Sequence, residues 1–289
     1  MPILVSPFVR QIVAITGLLL LTACAATPPV ARPPVPPQPQ VLSWTAAIGA
    51  LHDLGNGQIC TATLVQQDVV LTAAHCLSDS STSSAPNRFA FLPNEGAAPT
   101  FRALAVLRIR TIGAQVQQGQ IDGAVAAGDW ALLQIEPAPL GLRPVAVSDL
   151  RWSEIEARLA AGDRFFSGGY GTPGMLALTR HADCQPVDAA RLGQFLDDGL
   201  IASDCRVRPR DSGGPMVLID IAGRPHLIAV ISGIGRPFSD HPLGIGVEAK
   251  SFIKYLNELN ISDRSTVDRR ISPVELSAGT AAPRPYPLD

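Results

Sequence analysis

Short apolar runs, each ended by turn-forming residues, dominate the middle of this 289-residue chain. Such runs are typical of β-strands, because they are too short for helices and are punctuated by Gly, Pro, Asn and Asp. No long helical segments alternate with them, so the pattern predicts an all-β barrel or sandwich. The runs are Ala46–Leu51, Ile59–Val65, Val69–Leu71, Phe101–Ile109, Trp130–Ile135, Met216–Ile219 and Leu227–Ile231.

Two segments have helical periodicity instead. Residues 153–160 start with Ser153 and Glu156 at the spacing of a capping box, in which two side chains satisfy each other's backbone N–H groups. Residues 250–260 form a predicted C-terminal helix, since their apolar side chains share one face. The residues on that face are Phe252, Ile253, Leu256 and Leu259.

The first 23 residues resemble an export signal peptide rather than part of a fold. Arg10 supplies a positive flank, and Ile12–Leu21 is an apolar stretch too short to span a bilayer comfortably. Leu21-Thr22-Ala23-Cys24 then resembles the bacterial lipobox, whose cysteine receives acyl chains such as palmitate and becomes the mature N-terminus. This interpretation anchors Cys24 in a membrane of the cell envelope, on the periplasmic or extracellular side. Ala23-Cys24-Ala25 also fits an ordinary A-x-A cleavage site, which predicts a secreted protein instead.

The rest of the chain divides where its composition changes. Residues 24–42 combine the candidate lipid-anchor cysteine with a proline-rich linker, which favours polyproline II and cannot form a core. Residues 43–262 contain all the predicted strands and helices, so we expect one globular domain there. Residues 263–289 are polar and then proline-rich, which predicts a flexible tail.

Charge and cysteine content narrow the possible partners and the compartment. A formal net charge of −2 and the lack of lysine runs give no electrostatic reason to expect nucleic acid as a partner. With Cys24 set aside, an even set of cysteines remains, which suits an oxidising compartment but allows three pairings. The set is Cys60, Cys76, Cys184 and Cys205.

Three motifs carry the candidate chemistry. Serine is a poor nucleophile until a neighbouring base takes its proton, and an imidazole base needs a carboxylate to orient it. His75, Asp129 and Ser212 supply these groups in that order along the chain. The motifs around them are Thr72–Cys76 (T-A-A-H-C), Gly128–Leu133 (G-D-W-A-L-L) and Arg210–Pro215 (R-D-S-G-G-P).

These motifs resemble those of the trypsin/chymotrypsin-like serine peptidases, and the resemblance covers roughly residues 44–261. It implies two antiparallel six-stranded β-barrels with a C-terminal helix and an active site between the barrels. It also implies a serine endopeptidase that acts on protein or peptide substrates without a cofactor. Further segments with the resemblance are Gln58–Cys60, Gly168–Gly171, Ile231–Gly233 and Gly246–Lys250.

The resemblance implies a role for each residue of the motifs. His75 would be the general base and later the general acid, Asp129 its orienting carboxylate, and Ser212 the nucleophile that forms an acyl-enzyme. The oxyanion hole would consist of the backbone N–H groups of Arg210 and Ser212.

The resemblance also bears on the cysteines and the remaining histidines. It implies a Cys60–Cys76 disulfide at the histidine loop, while Cys184 and Cys205 look like a second disulfide beneath the serine loop. A metal site that includes His181 is the weaker interpretation, since Cys205 has no second ligand close by in the sequence. The histidines that lack a catalytic context, and that we assign to surface or core packing, are His52, His181, His226 and His241.

Arg210 is the first departure from the family pattern, because the family usually has glycine there. Glycine lets the peptide turn its N–H toward the oxyanion without a Cβ penalty. We therefore expect Arg210 to favour a collapsed loop with fewer donors until substrate binds, which lowers activity.

The loop before Ser212 departs further. No Ile-Val-Gly-Gly-like motif precedes Trp44, so Asp211 lacks the N-terminal ammonium with which the family's zymogens pair this acid. Its candidate partners are Arg206, Arg208 and Arg210, which are equally well explained as plain surface residues. Arg206 has the spacing of a trypsin-like specificity aspartate, so cleavage after Lys or Arg is not supported. Basic residues there would favour acidic or extended polar side chains.

Two other functions compete with the endopeptidase. The main one is a protease-like binding or scaffold module whose catalysis is impaired by Arg210. An esterase with the same three groups is weaker, because Asp211-Ser212-Gly213 does not match the G-x-S-x-G elbow of that fold.

Overall fold

Six strands in the N-terminal half close into an antiparallel barrel with the pairing order β1-β2-β3-β6-β5-β4. Nearly every residue of β2 and β3 is buried, which explains their almost unbroken apolar sequences. The strands are β1 Ile48–Asp53, β2 Ile59–Gln66, β3 Val69–Thr72, β4 Phe89–Pro93, β5 Leu104–Ile112 and β6 Ala131–Ile135.

The molecule is seen here as a computed structural model, which describes parts of residues 43–259. The described ranges are 43–77, 88–93, 102–113, 127–172, 177–181, 184–188, 199–235 and 242–259.

The remaining strands form an eight-stranded sheet in the order β10-β11-β14-β13-β12-β8-β9. The short strand β7 pairs with β13 in parallel, and the other pairings are antiparallel. The strands are β7 Ala146–Val147, β8 Arg164–Gly169, β9 Thr179–His181, β10 Pro186–Val187, β11 Leu200–Ser203, β12 Pro215–Ile219, β13 Pro225–Gly235 and β14 Leu243–Glu248.

One hydrophobic core joins the barrel to this sheet. Tyr170, which follows β8, is buried in the same cluster as Leu71 of β3 and Val230 of β13. The Tyr170 hydroxyl donates a hydrogen bond to the carbonyl oxygen of Ile48 in β1, 3.4 Å away. Loops at this junction are therefore held between the barrel and the eight-stranded sheet.

Both predicted helices are present, with one corrected cap. Helix α1 spans Trp152–Ala160, and its Glu154 accepts a hydrogen bond from the backbone N–H of Arg151 at 2.8 Å. The predicted pairing of Ser153 with Glu156 is wrong, because the N-cap is Arg151, two residues before Ser153. Near the C-terminus a 3-10 turn at Ala249–Ser251 leads into helical residues 253–259.

The predicted all-β class is confirmed, with one closed six-stranded barrel, a second sheet and a C-terminal helix. The signal peptide of residues 1–23, the lipidation of Cys24, the proline-rich linker and the tail of residues 263–289 lie outside the described residues. Among the residues that are described, no helix is long and apolar enough to cross a membrane.

Candidate active site

His75 sits on a short 3-10 turn, Ala74–Leu77, directly after the buried strand β3. The neighbouring Cys76 forms a disulfide with Cys60 of β2, as the resemblance implied. This covalent link and the hydrogen bond from Cys76 N–H to the carbonyl oxygen of Ala73 tie the turn to the barrel. The side chain of His75 is 13% exposed, so the imidazole is largely enclosed yet open on one side.

Asp129 holds His75 at two points. It precedes β6, which pairs with β3, and this pairing places its buried carboxylate beside the histidine turn. Asp129 Oδ1 accepts the backbone N–H of His75 at 2.9 Å, and Oδ2 lies 2.8 Å from His75 Nδ1. A carboxylate only accepts hydrogen bonds, so Nδ1 carries the proton and Nε2 of the neutral ring is left as the base.

Ser232 adds a further hydrogen bond to this pair. Its hydroxyl, on strand β13, donates to Asp129 Oδ2 at 2.5 Å. The sequence resemblance included Ser232 only as part of a strand segment and assigned its side chain no role. No local signal could have identified it, since the contact joins residues 103 positions apart.

The Ser212 loop is held between the barrel and the sheet. Thr61 of β2 donates its N–H to the carbonyl oxygen of Ser212 at 2.8 Å, and Gly213 N–H donates to Ile231 of β13 at 2.7 Å. Gly213 has φ +84°, and a Cβ there would lie 2.0 Å from the carbonyl oxygen of Thr61. Only glycine fits this close approach.

His75 and Ser212 line the same cavity, which has a volume of about 560 Å³. Ser212 Oγ makes no hydrogen bond within the described part of the chain. In enzymes without bound substrate, nucleophile–base hydrogen bonds are often long and tighten when the complex forms. The other lining residues are Gly57, Gln58, Ile59, Cys60, Pro209 and Arg210.

Arg210 adopts a left-handed backbone with φ +79°, the one non-glycine residue with positive φ among those described. This conformation costs an L-residue about 1–2 kcal/mol. Its carbonyl oxygen accepts a hydrogen bond from Thr61 Oγ1 at 2.8 Å. Within the described residues, the backbone N–H groups of Arg210 and Ser212 donate to no acceptor of the protein, which leaves them available to a ligand.

Asp211 is fully buried, and its partner differs from those predicted. Its Oδ2 lies 3.1 Å from Nε2 of His181 on β9 and accepts the backbone N–H of Arg208 at 2.8 Å. The sequence left two interpretations open for Arg206 and Arg208, and the structure agrees with the surface one: both residues are exposed, and within the described residues neither guanidinium bonds Asp211. The β8–β9 pairing, with Ser167 opposite His181, brings a distant histidine to the loop instead.

The four cysteines within the described residues form disulfides, which removes them as metal ligands. Cys184 and Cys205 form the second disulfide, as expected from the sequence. Two groups of potential ligand atoms occur in the described residues, one around Cys60 and Cys76 and one around Cys184 and Cys205. Disulfide sulfurs are not thiolates, so neither group has the ligand set of a zinc site.

Two further features surround the nucleophile loop. Arg206 and Arg208 line a cavity of about 710 Å³ together with Ile234 and Leu243.

His52 of β1 is partly buried; this burial and the charge of Arg210 lower the pKa of its imidazole. His52 is therefore neutral near pH 7, and the charge around the loop comes from the arginines.

The sequence of this chain matches a known protein family. The model of the family described as Trypsin matches residues 35–256, most of the chain. The chain belongs to the trypsin family. This membership agrees with the resemblance predicted from the His, Asp and Ser motifs.

A solved structure shares the fold of this trypsin-family chain. It is a scabies mite inactivated protease paralogue, S-I1, with a TM-score of 0.56 and 18% sequence identity. The match covers 76% of this chain and 96% of the other. No curated protein sequence matches the chain.

Proposed function

We propose that this chain is a serine endopeptidase that hydrolyses peptide bonds through an acyl-enzyme on Ser212. The observation that carries the proposal is the hydrogen bond of Asp129 to His75 Nδ1 at 2.8 Å, beside a cavity that His75 shares with Ser212. Membership of the trypsin family supports peptidase chemistry at the coarse level.

The first half of the reaction forms the acyl-enzyme. His75 Nε2 takes the proton of Ser212 Oγ as the oxygen attacks the peptide carbonyl carbon. Asp129 keeps the imidazole oriented and stabilises the imidazolium that forms. The backbone N–H groups of Arg210 and Ser212 bind the oxyanion of the tetrahedral intermediate. His75 then protonates the departing amine, and the C–N bond breaks.

The second half releases the acyl group. A water molecule takes the place of the amine, and His75 Nε2 removes its proton as the oxygen attacks the ester carbon. The second tetrahedral intermediate uses the same two N–H donors. Its collapse returns the proton to Ser212 Oγ and releases the carboxylic acid product.

Labelling with a fluorophosphonate tests this proposal directly. The wild-type protein should be labelled on Ser212, and Ser212→Ala should remove the label. His75→Ala should slow labelling more than about 1,000-fold, because the serine then lacks its base. An unlabelled wild-type protein that is correctly folded would contradict the proposal.

The arginines near Ser212 support a preference for acidic substrates within this proposal. Among the described residues, no carboxylate pairs with the guanidinium group of Arg206 or Arg208, and both residues line the cavity of about 710 Å³. We expect Asp or Glu side chains next to the scissile bond to be favoured. A peptide library digested with wild type and Arg206→Gln measures this preference, which the variant should weaken. Equal cleavage of acidic and neutral peptides would contradict it.

A binding or scaffold module is the second candidate, and the backbone of Arg210 is the observation that favours it. A strained residue in the oxyanion loop can weaken catalysis, and the solved neighbour is described as an inactivated protease paralogue. Arg210→Gly removes the steric cost of φ +79° and should accelerate labelling of Ser212. An unchanged rate would show that Arg210 does not limit acylation.

The cellular location follows partly from the disulfides. Two disulfides fit an extracellular or secreted protein, since the cytosol keeps thiols reduced. We further propose that Cys24 carries the lipid anchor, on the evidence of the lipobox-like sequence alone. Mass spectrometry of the mature N-terminus should find a lipidated Cys24, and an unmodified start at Ala26 would contradict the anchor.

A further inference from the structure

The carboxylate of Asp211 is enclosed by three hydrogen-bond donors. Its Oδ1 accepts the N–H of Gly171 at 2.7 Å, and its Oδ2 accepts the N–H of Arg208 at 2.8 Å. The third donor is Nε2 of His181, 3.1 Å from Oδ2. Asp211 directly precedes the proposed nucleophile, so whatever holds this carboxylate also holds the loop.

His181 is the one side chain that bonds Asp211 among the described residues. The imidazole is 5% exposed and the Asp211 side chain 0%, so the pair is shielded from water. A buried carboxylate is costly unless its oxygens accept hydrogen bonds. His181 supplies the third donor to Asp211, so its loss would leave the carboxylate held by two backbone N–H groups alone.

The surrounding chain is shaped around this carboxylate. A Cβ on Gly169 would lie 2.6 Å from Asp211 Oδ1, and a Cβ on Gly171 would lie 2.5 Å from the same atom. The Asp211 side chain fits against β8 and the residues after it only because these two positions have no side chains. The carboxylate occupies a formed site between β8 and β9 rather than a solvent-filled gap.

Asp211 lies between Arg210 and Ser212 in the chain, and the N–H groups of these two neighbours are the proposed oxyanion donors. Arg210 has φ +79° and needs external contacts to remain in that conformation. Thr61 Oγ1 supplies one contact to its carbonyl oxygen, and the anchored Asp211 side chain fixes the next residue. Release of Asp211 would let the strained peptide turn and withdraw its N–H.

We propose that His181 is a positioning residue that holds the oxyanion loop in its competent shape through Asp211. This inference rests on the proposed serine peptidase function. It gives His181 the task that a newly exposed N-terminal ammonium performs in the family's zymogens. The loop would then be competent without a free amine at any trimmed N-terminus.

Two variants that differ by one methylene test the hydrogen bond itself. His181→Gln places an amide N–H close to the position of Nε2, whereas the shorter side chain of His181→Asn cannot reach Asp211. The measurements are the rate constant of fluorophosphonate labelling and kcat and KM for a peptide substrate, at a temperature where thermal unfolding shows both variants folded. The matched control is His226→Gln. It changes a half-buried histidine on β13 whose ring bonds Ser148 rather than Asp211.

The expected result is a split between the two variants. His181→Asn should lower the labelling rate and kcat by about 10- to 100-fold with little change in KM, because oxyanion donors act in the transition state. His181→Gln and His226→Gln should stay within about threefold of wild type, a difference of less than 1 kcal/mol. A purely structural role of His181 would instead lower the thermal stability of both variants and leave the rates of the folded fraction equal.

Each contrary outcome has its own meaning. Equal rates for His181→Asn and His181→Gln in folded protein would overturn this inference while leaving the peptidase proposal intact. A wild-type protein that is not labelled would overturn the peptidase proposal and this inference with it. Labelling that requires removal of an N-terminal extension from the wild-type chain would also overturn it, because His181 would then not replace the ammonium.

Discussion

At the residue scale, the candidate site depends on the hydrogen bonds that each polar side chain makes with its neighbours. Asp129 accepts hydrogen bonds from the His75 backbone N–H, the His75 ring and the Ser232 hydroxyl, so its buried carboxylate is held at both oxygens. A carboxylate held in this way cannot rotate away from the imidazole. The orientation of the base is therefore set by several contacts rather than by one.

Removal of the Ser232 hydroxyl should weaken this arrangement. Ser232→Ala leaves Asp129 with one donor fewer, and a hydrogen bond to a charged group contributes about 1.5–3 kcal/mol. We expect kcat to fall about tenfold with little change in KM, measured on a peptide substrate. Ser148→Ala, which removes a hydroxyl bonded to His226 outside the site, is the control and should leave kcat unchanged.

The ion pair of Asp53 and Arg88 predicts a pH dependence of stability. Burial raises the pKa of Asp53, but hydrogen bonds from Arg88 and from the backbone of Gly55 outweigh it, so the net pKa lies below its ordinary value of 3.8. A depressed carboxyl pKa stabilises the fold above the unfolded pKa, and this contribution is lost as the pH falls through the folded pKa.

Urea unfolding of wild type and Asp53→Asn at several pH values measures this effect. We expect a difference in unfolding free energy of about 3 kcal/mol at pH 7, which shrinks as the pH drops below 3.8. A difference that stays constant down to the lowest pH at which the protein folds would contradict the assignment.

At the element scale, the loop between β11 and β12 brings the candidate chemistry together. It contains the left-handed Arg210, the anchored Asp211 and the tightly packed Gly213, and its end enters strand β12. Contacts from β2, β9 and β13 fix it from three directions. These long-range contacts add to the local turn hydrogen bonds of the loop, such as that from Gly214 N–H to the carbonyl oxygen of Asp211.

A pair of glycine variants separates backbone strain from packing in this loop. Gly57 and Gly213 both have positive φ, but a Cβ at Gly57 meets no atom within 4 Å, whereas one at Gly213 meets backbone at 2.0 Å. Gly57→Ala should cost about 1 kcal/mol from strain alone. Gly213→Ala should cost about 3 kcal/mol and abolish labelling, because the loop must move. Similar losses in both variants would show that packing at Gly213 is unimportant.

At the scale of the whole molecule, the site forms where the barrel meets the second sheet. His75 and Asp129 come from the barrel, and Ser212 and Ser232 come from the sheet. Thr61 of β2 joins the two parts: its hydroxyl donates to Arg210 and accepts the backbone N–H of Tyr170. Correct docking of the two parts is therefore a condition for the proposed reaction.

Two threonine variants on the same strand test this connection. Thr61→Val removes a hydroxyl that bridges barrel and sheet, so it should cost about 1–3 kcal/mol in unfolding free energy and slow labelling about tenfold. Thr63→Val is the control, because the buried Thr63 hydroxyl has no partner within the described residues. It should be neutral or stabilising. Equal effects of both changes would contradict a bridging role for Thr61.

Much of the fold and part of the site could be predicted from the sequence. Apolar runs located seven of the strands, although β5 starts three residues later than its run and β13 extends to Gly235. Short strands such as β7 and β10 were missed, since two residues leave no periodic signal. The capping of α1 was misplaced because cap residues depend on where the first turn begins.

By itself, the sequence determined the strand-rich class and the trypsin-family motifs, because these depend on local patterns and residue types. It left three cysteine pairings open, and the structure shows the two disulfides that the resemblance implied. Only the tertiary structure decided that His181 is the partner of Asp211 and that Ser232 bonds Asp129. Both contacts join residues far apart in the chain, and their geometry follows from strand register and from the docking of the barrel against the sheet. Arg210 is an intermediate case. The sequence identified it as unusual, and the fold holds it in the left-handed conformation that glycine normally adopts.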